Sequence, residues 1–407
     1  MAIESQDRKP ATAPSKAPKK QGEIPVYELS EGLDQLETMV REKMSQLNRP
    51  VIVGFGGGSA SGKTDAATKF RSRFSQGATE SQSIDDYYLS REYIVDHNLN
   101  FDQPEAINLG SWRKDLHFLQ SGIPVRVPVY RYGIIGSETE AEAEREYKVL
   151  QSRPVIVVDG LFALDNAFKS ELDIKVFVDI GLHGRLLRRL MRDVVRAGEK
   201  PADILSYFLS VVDPMHEQYV EVTKANADMV IKNEYNPNIE ARRSGLHEVQ
   251  LKFNGALDEE FLRRLGAERL GVVEQVDTYY NPRDRDLSKT GESVRIREEA
   301  GHNILTYKGP AVEGKFRERP KFEFEIDAET KAKFLTIYGD SVKVIKKHRT
   351  LYQLDEAVIS IDMVDGLGDF IEVRPGHKDG DRLGLETILE KLGLDLVFGI
   401  KDPYVVM

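Results

Sequence analysis

VIVGFGGGSASGKTDAATKF, residues 51–70, passes from an apolar, β-branched run through a glycine loop into a stretch that reads as a helix. Inside it Gly57, Gly58, Ser59, Ala60, Ser61, Gly62, Lys63 and Thr64 spell G-x-x-x-x-G-K-[ST], between strand and helix as that motif's chemistry requires. Glycines let backbone N–H groups converge on phosphate oxygens, and the helix N-terminus adds its dipole. In such a loop Lys63 reaches the β- and γ-phosphates and the Thr64 hydroxyl ligates Mg²⁺. The dinucleotide fingerprint G-x-G-x-x-G does not fit, because Gly54-x-Gly56 is followed by Ser59 and Gly56-x-Gly58 by Ser61. A purely structural glycine turn is the competing reading. The motif points to a nucleoside triphosphate and leaves the reaction open.

On either side the chain reads as an α/β domain over 50–238. VIVGF, VIVVDG (155–160), IKVFVDI (174–180) and DMVIKN (228–233) are candidate buried strands, with RLLRRLMRDVVRAG and PADILSYFLSVVDPMHEQYVEVTKAN as helices. Continuous apolar strands alternating with helices predict a parallel sheet covered on both faces. In 23–49, Leu33, Leu36, Val40, Met44 and Leu47 recur at helical spacing behind Ser30 as N-cap, predicting a leading helix packed on that domain. Residues 1–22 are rich in Pro, Ala and Lys, the composition of a disordered tail.

A phosphoryl transfer needs an acid to take the acceptor's proton. QSIDDYY (82–88) supplies Asp85 after the first βα unit, with a turn or cap carboxylate beside Asp86 as the plain alternative. VIVVDG ends in Asp159, placed like a carboxylate that orders the Mg²⁺ shell. Arg185, Arg188, Arg189 and Arg192 share one side of a helix and are read either as a clamp on the transferring group or as a solvated face.

GGSASGKT, IDDYY, NFDQPEA (100–106), VPVY (127–130), VVDG and RRLMRD fall in an order that resembles the uridine kinase/phosphoribulokinase family, over about 185 residues. The resemblance implies Asp85 as general base, Asp102 at sugar hydroxyls, Tyr88 and Tyr130 on the acceptor side, and Arg188, Arg189 and Arg192 as a lid. Two departures stand out. Uridine kinases usually continue PVY with Asp and, later, His, where this chain has Arg131 and Ile135; and Asp159 replaces the Glu of many relatives. Loss of such base-reading groups removes the discrimination they supply.

From 239 to 407 the period changes to two, in HEVQLKF, SVRIRE, NILTYKG, KFEFEID, VISIDMV and DFIEVR, which predicts an antiparallel sheet or barrel. Charged residues keep one parity on successive strands: Glu248 and Lys252; Arg295 and Arg297; Lys308; Glu323 and Glu325; Lys347 and Arg349; Asp362, Glu372 and Arg374. On one strand this is an ordinary solvated face, but on six it predicts a polar interior able to hold a polyphosphate. EVQLK, QVDTYY, SVRIRE, LTYKGP, FEFE, KKHRTLY and ISIDMVDGLGDFIEV resemble the CYTH domain, the triphosphate tunnel fold, over about 160 residues. That resemblance implies phosphate binding by Lys252, Arg295, Arg297, Lys308, Lys347 and Arg349. It also implies Mg²⁺ or Mn²⁺ on Glu248, Glu323, Glu325, Asp362 and Glu372. Its E-x-E-x-K hallmark reads Glu248-x-Gln250-x-Lys252 here and the terminal E-x-E reads Glu372-x-Arg374, which predicts weaker metal binding. The domain order is similar to plant tunnel enzymes with a kinase-like half, and the membrane anchor seen in such proteins is not expected here.

Composition sets the bounds. The 407 residues carry a net charge of −10 and no cysteine, excluding disulfides and thiolate chemistry and giving no basic excess for duplex nucleic acid. Neither an apolar run of spanning length nor a signal-peptide core is present, so the expected location is the cytoplasm, away from membranes. The expected partners are nucleotides and small-molecule substrates, and a homo-oligomer is left open. Three readings follow: an ATP/Mg²⁺-dependent small-molecule kinase with a polyphosphate tunnel, a tunnel hydrolase regulated by the kinase-like half, or a non-hydrolytic sensor.

Overall fold

The structure, a computed structural model, describes residues 23–129, 146–233, 247–283, 285–311, 318–376, 382–400 and 404. Expectations for the 1–22 tail, the boundary near 238–246, and Tyr130, Arg131 and Ile135 fall outside these residues.

The N-terminal half is a parallel sheet. β1 (Val26–Glu28), β2 (Val51–Gly56), β3 (Thr79–Ser83), β6 (Val155–Asp159), β7 (Ile174–Asp179) and β8 (Met229–Lys232) stand in the order β1-β8-β7-β2-β6-β3. β2 and β6 are buried at every position, as their unbroken apolar runs require. Alternate residues feed two cores. Ile52, Ile156 and Val158 meet Trp112 and Leu116 of α4 (Leu109–Gln120), while Val51, Val53 and Phe55 meet α1 (Leu29–Gln46) and α2 (Lys63–Arg71). The remaining pieces are α3 (Arg91–Asp96), a ribbon of β4 (Val125–Pro128) and β5 (Tyr147–Leu150), α5 (Leu182–Ala197), and α6 (Pro201–Tyr207). Irregular helix continues from α6 to Asn226. One expectation is corrected here: Ser30 lies inside α1, whose N-cap is Glu28. The short strand β1 pairs with β8 and leads straight into the helix, so no capping side chain sets its start.

The C-terminal half is a strongly curled antiparallel sheet. Its strands are β9 (His247–Val249), β10 (Leu251–Asn254), β11 (Glu268–Tyr280), β12 (Ser293–Glu299), β13 (His302–Lys308), β14 (Glu318–Ile326), β15 (Ser341–Leu354), β16 (Ala357–Val364) and β17 (Gly368–Pro375). They run in the order β10-β17-β16-β15-β11-β12-β13-β14-β9. HEVQLKF, expected as one strand, breaks at Gln250: β9 pairs with β14 and β10 with β17. The two edge strands of the sheet are thus halves of one bent segment, so the chain itself bridges the two edges and the sheet curls round into a tunnel.

Outside the tunnel the apolar parity is covered. α7 (Glu259–Arg264) and α9 (Arg382–Leu392) cap Leu251, Ile359 and Val373, while α8 (Ala328–Tyr338) joins α5 and α6 against Val294, Ile296, Leu305 and Phe322. The two halves therefore share a core. Among the described residues no helix is long and apolar enough to cross a membrane.

Candidate active site and tunnel

The carboxyl ends of β2, β3, β6 and β7 meet at one rim of the parallel sheet, the usual place for a ligand in such folds. The phosphate loop follows β2 and ends at Gly62, the N-cap of α2 with φ +83°. A Cβ at Gly62 would lie 2.1 Å from Asn233 Nδ2, and one at Gly57 2.4 Å from the Val178 carbonyl oxygen, so both positions need glycine. Asn233 and Arg188 donate to the Ser61 carbonyl at 2.9 and 2.8 Å, which fixes the peptide planes of the loop. Arg189 donates to Ser59 Oγ at 3.0 Å. Arg188 and Arg189 are thus turned to the loop, while Arg185 is buried on Asp213 at 2.6 Å and anchors the helix.

Thr64 Oγ1 donates to Asp159 Oδ2 at 2.8 Å, joining the two residues assigned to Mg²⁺. One hydroxyl and one carboxylate beside a phosphate cradle fit an ion that keeps most of its shell as phosphate oxygens and water. Lys63 is buried, and burial pulls its ammonium down against the opposing fields of Asp85 and Asp159. Burial lifts the Asp85 carboxyl to about 6, with Lys63 restraining the rise. Its neighbour Asp86 is held by Lys148 of β5 at 2.6 Å, so the two acids of IDDYY stand in different surroundings.

Tyr88, expected on the acceptor side, donates to the Phe101 carbonyl at 2.9 Å and packs edge-on against that ring. This seats the segment carrying Asp102. Burial raises the Asp102 carboxyl, while Arg189, Lys63, Arg192 and His216 draw it back. Asn233 and His216 were not singled out in sequence; both come from the far end of the domain, where no local pattern marks them.

In the C-terminal half a cavity of about 240 Å³ is lined by nine basic side chains against four carboxylates. Glu248, Gln250 and Lys252 all face it, as do Arg295, Arg297, Lys308, Lys347, Arg349 and Arg374. Two further acids, missed as counter-ions, stand behind the wall. Asp277, fully buried, accepts from Arg295 at 2.7 Å and from Arg297 at 2.7 and 3.0 Å. Asp362, equally buried, takes both arms of Arg349 at 2.6 Å and the Tyr404 hydroxyl at 3.1 Å. Burial would raise Asp277, but Arg295, Lys347 and Arg297 outweigh it and hold the carboxyl far below the usual range. Burial pulls Lys308 and Lys347 down to about 7. Asp277 shares its strand parity with Gln275 and Tyr279, a signal available in the sequence. Tyr404, whose ring lies 4.1 Å from Lys252 Nζ, gave none.

The metal set expected for the tunnel is not assembled. Glu248 is bonded to Lys308 at 2.5 Å and Lys321 at 2.7 Å, and Glu372 to Arg349. Glu323 has Lys321 at 3.3 Å; Glu325 is 64% exposed, pairs with His302 and does not line the cavity; Asp362 is sealed behind Arg349. Among the described residues no three acids or histidines gather at one point. A hard divalent ion needs several oxygens free of competing cations, and this donor set does not fit one.

Family profiles match this chain twice: Phosphoribulokinase / Uridine kinase family over residues 52–239, and CYTH domain over residues 246–399. The uridine kinase of Staphylococcus carnosus (strain TM300) is 34% identical over 189 residues, 46% of this chain and 88% of that protein. Inorganic pyrophosphatase TTM1 of Arabidopsis thaliana is 24% identical over 356 residues, 85% of this chain and 52% of that protein. The chain thus spans about half the length of this relative. Among solved structures, the PH1819 protein from Pyrococcus horikoshii OT3 aligns with 39% of this chain and 96% of its own, at 32% identity and a TM-score of 0.34. The chain belongs to the phosphoribulokinase/uridine kinase family through its N-terminal half and carries a CYTH domain in its C-terminal half.

Proposed function

We propose that the N-terminal half transfers the γ-phosphoryl group of ATP to a hydroxyl of a nucleoside- or sugar-like acceptor, and that the tunnel holds a triphosphate or polyphosphate. The observation that carries the transfer is Asp85: a carboxyl lifted to about 6, beside the buried Lys63 and the Thr64–Asp159 pair. A base with a pKa close to neutral is matched to its task. The acceptor oxygen bonds to the γ-phosphorus as the bond to the departing ADP oxygen breaks, and the hydroxyl proton passes to Asp85. Loop N–H groups, Lys63 and the guanidinium groups of Arg188, Arg189 and Arg192 offset the charge on the moving group. Thr64 and Asp159 would hold Mg²⁺, which when bound would offset the charge of the phosphates. Tyr88 and Asp102 shape the acceptor side.

Nucleosides and phosphorylated sugars, screened with γ-labelled ATP, test this reading. Asp85→Asn is expected to lower transfer by about 10²–10⁴-fold. Undiminished transfer by that variant removes Asp85 from the role. A second reading places hydrolysis in the tunnel, favoured by the name of the plant relative, an inorganic pyrophosphatase. Its measurement is phosphate release from pyrophosphate or triphosphate by the full chain with Mg²⁺ or Mn²⁺.

A further inference from the structure

Between the first two residues of the tunnel hallmark stands a cation that belongs to the protein. Lys308 Nζ lies 2.5 Å from Glu248 Oε1 and 3.0 Å from Gln250 Oε1. An ion shared by those two side chains would have to occupy the place of this ammonium. Glu248 is further neutralised by Lys321 at 2.7 Å, and Arg374 replaces a third acid with a positive charge facing the same cavity.

We propose that the tunnel binds condensed inorganic phosphate as the uncomplexed anion, with Lys308 in the place of a divalent ion, and holds it without hydrolysing it. This rests on reading the tunnel as a polyphosphate site and changes what that site requires. Three observations carry it. First, the wall is strongly cationic, nine bases to four acids, so the cavity attracts an anion with no metal to bridge it. Second, Arg295, Arg297 and Arg349 are fixed from behind by Asp277 and Asp362, so their guanidinium forks are set before a phosphate arrives. Third, about 240 Å³ is below the ~300–1,000 Å³ typical of pockets for drug-sized organic ligands, which suits a bare phosphate chain better than a whole nucleotide.

Hydrolysis needs an activated water. Among the described residues of the lining there is no histidine, and Glu248, Glu299, Glu323 and Glu372 each have a cationic side chain within ion-pair distance. Among these described groups every carboxylate is already engaged by a cation, which opposes its taking the proton of an attacking water.

Titration calorimetry of full-length protein with sodium tripolyphosphate, in EDTA and in excess Mg²⁺ or Mn²⁺, tests the proposal. A Lys63→Ala background silences the phosphate loop. Binding is expected in EDTA and is weakened by Mg²⁺, which competes for the free anion. Lys308→Ala is expected to lose at least about tenfold in affinity, one charge-assisted contact. Should that variant fold poorly by circular dichroism, Gln250→Glu supplies the second reading: an added negative charge is expected to weaken binding in EDTA. Binding that appears only with a divalent ion, tighter binding by Gln250→Glu, or phosphate release from bound tripolyphosphate overturns the proposal. Absence of binding under every condition fails the polyphosphate reading of the tunnel as well. The kinase reading is scored apart, by label transfer in the protein with Lys63 intact.

Discussion

Two acids on the two sites show how burial is turned to opposite ends. Asp85 is raised from 3.8 to about 6, so its charged form costs stability in the folded protein. The penalty is absent below the unfolded value, develops as pH rises from about 4 to 6, and is complete above it, at about 2–3 kcal/mol. Asp85→Asn should therefore abolish most transfer yet melt at the same or a higher temperature at neutral pH, as scanning calorimetry would show; marked destabilisation would contradict this. Transfer by the native protein should rise with pH through about 6, a limb read from kcat/KM against pH. Asp277 is the reverse case, a buried carboxylate gripped by Arg295, Arg297 and Lys347. Replacing it with Asn leaves those cations without their counter-ion, at about 3–5 kcal/mol by denaturant unfolding.

Helix α5 serves both halves because its sequence has two unlike sides. Arg188 and Arg189 reach the phosphate loop, while Leu186, Leu187, Leu190 and Met191 enter the core shared with the tunnel strands. Leu190, 2% exposed, holds that second face. Leu190→Ala should cost about 2–5 kcal/mol and also lower kcat, because the seat of the arginines loosens; an unchanged kcat in a destabilised variant would separate the two effects. The tunnel strands obey a similar division. Along β12, Ser293, Arg295 and Arg297 face the cavity while Val294 and Ile296 face α5 and α6. The period-2 pattern announced this alternation, but it is the same for a sheet with its charged face in water. The direction came from what covers the apolar side.

Across the molecule the halves are joined by packing and by one buried polar network. His183, at the start of α5, has Nδ1 2.7 Å from the Tyr338 hydroxyl and Nε2 3.4 Å from Glu292. Burial would raise Glu292, but the adjacent His183 ring and hydrogen bonds from Thr290 and Tyr307 hold its carboxyl at about 2. A depressed carboxyl contributes above its unfolded value of 4.5 and loses that contribution as pH falls toward 2, about 3 kcal/mol in all. Glu292→Gln should thus lower the melting temperature at pH 7, with the difference from native shrinking in acid. The native chain should melt in a single calorimetric transition, since one apolar cluster contains α5, α6 and β12–β14. Two resolved transitions would mean the shared core does not couple the halves.

Local order carries the parts that sequence could supply. The phosphate loop, Asp85, Asp159, the arginine row and the parity of the tunnel cations are patterns of spacing, and spacing survives in one dimension. So does the replacement of two expected acids by Gln250 and Arg374. Partnership is a matter of three dimensions. That Lys308 fills the gap between Glu248 and Gln250, that Asp277 and Asp362 sit behind the arginines, and that Asn233 reaches back to Ser61 depend on chain segments far apart in sequence. The period of a strand tells which side chains share a face, and the fold then sets what that face meets, because burial and Coulomb energy depend on distance in space.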